Sequence, residues 1–232
     1  MSEKIETVAQ SEEWNQWSEN MVKGNYPKWP NEPMLKTLFG SYSSAPIKPQ
    51  PNWKVLDVGC GFGNNLVPFA ELGCECHGVE IHPDMVKLSE EILGKRGYKA
   101  EIQEGINRKL PYPDGHFDLL LSVATIHYEG TEENVLAALR EFRRVVKPGG
   151  LIYIATAGPA HEIYCRAEML GDHRYRIRDY DFRNGQEFFF FDNEKYLQYY
   201  CAQVFQGVEV GRIKEELFGF NVDHIIALCL RV

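Results

Sequence analysis

Two hydrophobic periods alternate along most of this chain. Short apolar or alternating runs at residues 53–58, 75–80, 99–104, 117–122 and 151–156 predict strands. The run at 117–122 is almost continuously apolar, as a strand covered on both faces should be. Between these runs, apolar residues recur at helical spacing. Residues 64–72 predict a helix stopped by Gly73, and residues 84–93 predict another between Pro83 and Gly94. Thr131 caps a third helix whose apolar positions are Val135, Leu139, Phe142 and Val146, and Lys147-Pro148-Gly149-Gly150 ends it. Strands alternating with helices imply parallel pairing through crossovers.

Both ends depart from this alternation. Residues 11–23 read as a helix with Trp14, Trp17 and Met21 on one face. Residues 24–51 are rich in proline, aromatics and small polar residues, predicting loop with a short helix near 32–39. Residues 157–190 carry many charges and few core-like patterns. Asp192 is expected to cap a helix through Cys201, and 208–213 and 222–230 follow as strands joined by a link at 214–221. That link is too short for a crossover helix, so the two strands should pair antiparallel. The expected fold is α/β: a doubly wound, seven-stranded, mostly parallel sheet with an antiparallel C-terminal hairpin.

With 232 residues, 44% of them hydrophobic, the chain fits one α/β domain. It divides into an N-terminal cap (1–52), a central half (53–156), an insertion (157–190) and a final helix with hairpin (191–232). A net charge of −8 argues against nucleic acid as partner. No run is long and apolar enough for a membrane span, and the start MSEKIETVAQSEEW has no apolar signal core. The expectation is therefore a cytoplasmic protein whose six cysteines are free thiols. Cys74-x-Cys76 lacks the spacing and the second pair of a metal site, so no metal is expected.

The candidate chemistry starts at Asp57-Val58-Gly59-Cys60-Gly61-Phe62-Gly63, where a strand passes through a glycine turn into a helix. Such turns bind nucleotide-like ligands in doubly wound sheets. The glycines are spaced G-x-G-x-G rather than G-x-G-x-x-G, with Asn64 where the third glycine of a dinucleotide fingerprint would fall. Asp57 sets a carboxylate beside the turn, which repels pyrophosphate and attracts an ammonium. The turn thus suits a nucleoside that carries an amino group.

The chain resembles the class I S-adenosylmethionine-dependent methyltransferases over roughly 53–156. Four segments carry the likeness in order: VLDVGCGFG, HGVEIHPDMV, LPYPDGHFDLLLSVATIHY and RRVVKPGGLIYIAT. The resemblance implies S-adenosyl-L-methionine as cofactor. Under it, Gly59, Cys60, Gly61 and Gly63 form the methionyl turn, and Asp57 faces the amino-acid end. Glu80, about 20 residues after the glycines, holds the ribose hydroxyls. Ile81 covers an adenine face, and the Ser122 carbonyl meets the ammonium. Relatives place an acid after a glycine at the end of the third strand, but here Ile106 follows Gly105. The adenine edge is then left to Gly105, Ile106 and, as a substitute, Asn107.

The acidic chain, without an appended basic domain, favours a small-molecule acceptor, and methyl transfer to its oxygen or nitrogen is the expected reaction. His127, after the fourth strand, serves either as its general base or as a packing residue; both readings stand. Tyr128 lines the acceptor pocket, and Tyr26, with Trp14 and Trp29, belongs to a lid, with packing of the first helix onto the domain the alternative for Trp14 and the preferred reading for Trp17. Arg174 is a candidate acceptor ligand among Arg166, Arg176, Arg178 and Arg183, although acids balance these charges nearby. The Phe188–Phe191 run should pack the insertion onto the sheet. Competing functions are a non-catalytic cofactor-binding subunit, aminopropyl transfer, and a nicotinamide-dependent oxidoreductase that the glycine spacing disfavours.

Overall fold

A computed structural model describes residues 26–43 and 48–232. The helix expected at 11–23, with Trp14, Trp17 and Met21, lies outside the described residues. The chain runs through α1 (Glu32–Leu38), β1 (Lys54–Val58), α2 (Val67–Leu72), β2 (Glu75–Glu80), α3 (Pro83–Lys95), β3 (Glu101–Glu104) and β4 (Phe117–Val123). It continues with α4 (Glu132–Val145), β5 (Val146–Ala157), α5 (Glu162–Cys165), β6 (Ala167–Gly171), β7 (Arg174–Ile177) and β8 (Glu187–Phe189). The last elements are α6 (Glu194–Ala202), β9 (Gln206–Leu217) and β10 (Phe220–Leu230).

Seven strands form one sheet in the order β3-β2-β1-β4-β5-β10-β9. β1 to β5 are parallel, while β10 runs antiparallel to both β5 and β9. This is the doubly wound sheet with a reversed hairpin that the apolar pattern predicts. Strand order reverses between β1 and β4, which opens a crevice beyond their carboxyl ends. Alternating strand residues feed two cores. Leu56, Leu120, Ile152 and Ile154 pack with Leu139 and Phe142 of α4 and Leu197 of α6. Val55, Leu119, Leu121 and Tyr153 pack with Leu38, Phe69 and Leu93 on the opposite face. Local signals agree with the packing. The Thr131 hydroxyl accepts the Asn134 N–H at 3.2 Å, and the acidic first turn and basic last turn of α4 both suit the helix dipole.

Four local features differ from the sequence reading. The helix expected from residue 64 opens as a 3-10 turn, Asn64–Leu66, before α2. The cap of α6 is Asn193, whose side chain accepts the Tyr196 N–H at 3.0 Å. Asp192 instead accepts from the Tyr164 hydroxyl at 2.5 Å. The 214–221 link is mostly strand: Leu217 pairs with Phe220 across a two-residue turn at Phe218-Gly219, where Gly219 takes φ +83°. The largest difference lies in 157–190, which folds into a second antiparallel sheet of order β6-β7-β8.

The aromatic run joins the two sheets. Phe188 and Phe190 enter a small core with Ala157, Ile163, Tyr175 and Ile177. Phe189 and Phe191 enter the main core beside Leu197 and Tyr200. All four are fully buried, so strand alternation over four residues pins the insertion to the domain, as expected from the run's hydrophobicity. Among the described residues, no helix is long and apolar enough to cross a membrane.

Candidate cofactor and acceptor site

The glycine turn follows β1 at the carboxyl edge of the sheet, and its three glycines have different surroundings. Gly59, Gly61 and Gly63 all take positive φ, at +68°, +56° and +73°. A Cβ on Gly59 would lie 2.3 Å from the Thr125 methyl, and one on Gly63 would lie 2.5 Å from Leu93. Those two positions are closed by the protein itself. A Cβ on Gly61 would meet nothing within 4 Å, so Gly61 is the open position of the turn. Cys60 turns its side chain inward, since a Cβ on Gly78 would sit 2.7 Å from its sulfur. Burial pushes the Cys60 thiol well above its ordinary range, leaving backbone as what this residue offers a ligand.

Two buried carboxylates flank the turn. Glu80, at the end of β2, accepts the Gly61 N–H at 2.5 Å and the Ile81 N–H at 3.2 Å. Its burial raises the pKa, and these two N–H groups oppose the rise. Each oxygen keeps a further lone pair for an incoming hydroxyl. Asp57 is fully buried, and neither of its oxygens has a hydrogen-bond partner. Burial pushes its pKa up to about 8; the Asn65 amide, outside hydrogen-bond geometry, opposes this, and the Glu80 charge adds to it. A buried acid without a partner is costly unless something supplies a donor or a cation.

The remaining wall comes from the segments after β3 and β4. Gly105 donates to the Glu80 carbonyl at 2.9 Å, and Ile106 forms an isolated bridge with Lys109. Asn107, the expected substitute at the adenine edge, instead donates to Glu129 at 2.9 Å and to the Thr125 carbonyl at 3.3 Å. Ile81 is 43% exposed and free to lie against a flat ring. Ser122 is fully buried, with its hydroxyl 2.7 Å from that of Thr125. Ala124 holds φ +57°, an unfavourable conformation for a residue with a Cβ. Sequence reasoning missed Thr125 and Ala124; the single cue for them is that Gly59 must accommodate something close.

The described part of the N-terminal cap reaches the turn as well. Tyr26 packs its ring 5.3 Å from Phe62, and the Asn31 N–H donates to Asn65 at 2.9 Å. Trp29 is 84% exposed and does not close over the turn.

His127 is buried, with Nδ1 3.1 Å from the Thr156 hydroxyl and its ring 4.9 Å from both Tyr128 and Phe188. Burial, then the charges of Arg183, His161 and His224, push its pKa down to about 3. The imidazole is therefore neutral at any pH the protein meets in a cell. Arg174 is bound by Glu187 at 2.6 Å, and Arg176, Arg178 and Arg166 are likewise paired with acids. Arg183 is the insertion arginine that reaches the fourth-strand loop, donating from Nε to the Tyr128 hydroxyl at 2.8 Å while pairing with Asp181.

An open glycine backed by one buried acid with spare lone pairs and another with no partner is a cradle for a ligand that carries hydroxyls and an ammonium. Residues 56–154 match the family model described as methyltransferase domain. Over these residues the chain is similar to the methyltransferase domains. The cofactor of such a domain is S-adenosylmethionine, and the cradle fits it on the two acids alone. Among curated relatives, ajmaline N-methyltransferase of Rauvolfia serpentina is 33% identical over 119 residues, which is 50% of this chain and 39% of that protein. A probable tRNA methyltransferase 9B of Mus musculus is 32% identical over 108 residues, 45% of this chain and 22% of that protein. The matches thus span about two fifths or less of these relatives' length. A solved S-adenosylmethionine-dependent methyltransferase of Methanosarcina mazei superposes with a TM-score of 0.67 at 18% identity, covering 79% of this chain and 94% of that one. At that identity, the likeness shows the methyltransferase fold alone.

Proposed function

We propose that the protein transfers the methyl group of S-adenosylmethionine to an oxygen or nitrogen atom of a small-molecule acceptor in the cytoplasm. The observation that carries this reading is Asp57, fully buried with both oxygens unpartnered, at the start of the turn in which Gly61 is the open position. An ammonium, directly or through one water, satisfies that carboxylate and restores its ionised form. Glu80 holds the ribose hydroxyls with lone pairs not used by the Gly61 and Ile81 N–H groups. Backbone at Gly59, Cys60, Gly61 and Gly63 frames the methionyl part. Ile81, Gly105 and Ile106 border the adenine, and Ser122 faces the ammonium through its carbonyl.

When bound, the cofactor supplies a methyl group already activated by the sulfonium, so the protein's task is to position the acceptor and exclude water. Tyr128, backed by the buried Phe188, and Tyr26, packed on Phe62, offer aromatic faces to the acceptor, and Arg183 orients the Tyr128 hydroxyl. His127, neutral and tied to Thr156, acts by shape and hydrogen bonding and is a poor proton acceptor at its depressed pKa. Arg174, engaged with Glu187, shapes the insertion and contacts acceptor only if that pair opens.

A small acceptor is supported by the net charge of −8, since nucleic acid is generally met by basic surface. Incubation with methyl-labelled cofactor and panels of small amines, phenols and carboxylic acids, with total RNA alongside, tests this. Label in a small product supports the proposal. Label in RNA, or in none of the panels while the cofactor binds, would overturn the acceptor class or the catalytic reading respectively.

A further inference from the structure

At the opposite edge of the sheet from the glycine turn, three side chains converge that the methyltransferase reading leaves unused. Glu75 and His77 lie in β2, and His116 immediately precedes β4. One ligand atom from each of the three lies within 4.8 Å of the others. His77 is 4% exposed, and its Nε2 is 2.9 Å from Glu75 Oε1. Its Nδ1 is buried with no hydrogen-bond partner and faces Glu101 Oε2 at 3.7 Å. The Lys54 ammonium sits in the cluster, 3.2 Å from Glu75 and 3.4 Å from His116 Nε2. Glu75 begins β2 and Glu80 ends it, which separates the cluster from the cofactor cradle by about 17 Å at strand rise.

We propose that Glu75, His77 and His116 form a structural binding site for a divalent transition ion of the zinc type. Two imidazoles and a carboxylate are a donor set for such an ion, with water completing a tetrahedron. Glu101 completes the arrangement behind His77. A metal-bound histidine donates its other ring N–H to a carboxylate, and a small rotation brings His77 Nδ1 within reach of Glu101. An ordinary ion pair between Lys54 and Glu75 would not require two converging imidazoles or a buried ring nitrogen without a partner. Lys54 holds the place of the cation: its side chain is one-third exposed and swings to solvent when a doubly charged ion enters. The bound ion would clamp β2 to the entry of β4 across β1, stiffening the amino edge of the sheet. The cysteines considered from sequence do not take part. Cys76 points at the Leu66 carbonyl, and the three ligands are spread over 41 residues without a recognisable spacing.

Calorimetry on untagged, chelator-treated protein with Zn²⁺, repeated by Co²⁺ absorption, tests the site. One ion per chain is expected, with the visible bands of tetrahedral Co²⁺ and a higher melting temperature on Zn²⁺ addition. His116→Ala, at a partly exposed position, should weaken binding at least about a hundredfold, more than the roughly 10–100-fold expected of Glu101→Gln behind the first ligand. Lys54→Met should tighten binding about tenfold, the equivalent of about 1.4 kcal/mol. S-Adenosylhomocysteine affinity should stay unchanged in all three variants. No stoichiometric binding, or affinity unmoved by both His116→Ala and Lys54→Met, would overturn the site.

Discussion

The cofactor edge and the insertion treat charge in opposite ways. Beside the glycine turn, Asp57 is sealed from solvent with no partner for either oxygen. In the insertion, Arg166, Arg174, Arg176, Arg178 and Arg183 each meet a carboxylate. The insertion's pairs are partly exposed, and pairs in contact with solvent contribute little to stability. Its attachment comes from phenylalanines instead. A buried acid without a partner is where a ligand can complete the protein, whereas paired charges in the insertion serve as scaffold.

The most disruptive way to probe this contrast is to cut the aromatic staple. Phe189→Ala should cost about 3–5 kcal/mol by denaturant unfolding, as expected for a fully buried ring in the main core. Arg178→Ala in the same insertion should leave the unfolding midpoint nearly unchanged, because its partner Glu168 is as exposed as it is. Equal costs would break the distinction between staple and network.

The glycine turn sharpens it further. Gly61→Val should lower S-adenosylhomocysteine affinity at least about a hundredfold, roughly 2.7 kcal/mol, by filling the open position. Its effect on melting is limited to the backbone strain of a branched residue at positive φ. Gly59→Val should do the reverse and destabilise the fold first, because its Cβ runs into Thr125. Calorimetry and thermal melts on the two variants separate the roles, and identical profiles would show that the glycines are interchangeable.

Under the proposed function, Glu80 has one role toward the ligand as well as the one it shows toward the turn. Glu80→Ala removes ribose hydrogen bonds worth about 1.5–3 kcal/mol each and should weaken binding at least about tenfold. It also frees the Gly61 and Ile81 N–H groups, so the melting temperature should fall too. Glu80→Gln keeps an acceptor for Gly61 and should recover most of the stability but less of the affinity. Unchanged affinity in Glu80→Ala would remove the ribose assignment.

These contrasts also show what the sequence could convey. The sheet, its order of helices and its reversed hairpin follow from periodicity, because a strand that feeds two cores has a distinct pattern. The insertion has no such pattern: its β6-β7-β8 sheet is short, half-exposed and charged, and its core needs Ala157 and the phenylalanines from either side. The position of Glu80 at the end of β2 and the glycine turn after β1 were legible. That Gly59 and Gly63 are filled by Thr125 and Leu93 was not, since those contacts join residues 30 or more apart along the chain in three dimensions alone. Likewise, no pattern tells which arginine meets Tyr128.

The smallest effect concerns His127. Its native pKa of about 3 lies below the ordinary value of about 6.5, so over that interval the unfolded chain takes up a proton that the native chain refuses. Its contribution to stability is therefore complete above about pH 6.5 and is lost as pH falls toward 3. His161, lowered to about 4, acts in the same direction. Melting temperature should drop between pH 7 and about 5, and the drop should be shallower in His127→Gln. Turnover at saturating cofactor should show no inflection near pH 6.5 from this residue. An inflection that disappears in His127→Gln would restore it as the base.

The proposed ammonium seat at Asp57 is tested most directly by calorimetric titration of S-adenosylhomocysteine at pH 7 in two buffers of different ionisation enthalpy. With its pKa raised to about 8, Asp57 is mostly protonated in the free protein, and an arriving ammonium favours the carboxylate. Binding at one site per chain should therefore release close to one proton to the buffer. In Asp57→Asn, binding should be weaker and the proton release absent. Tight binding with no proton released, or the same release from Asp57→Asn, would contradict the account.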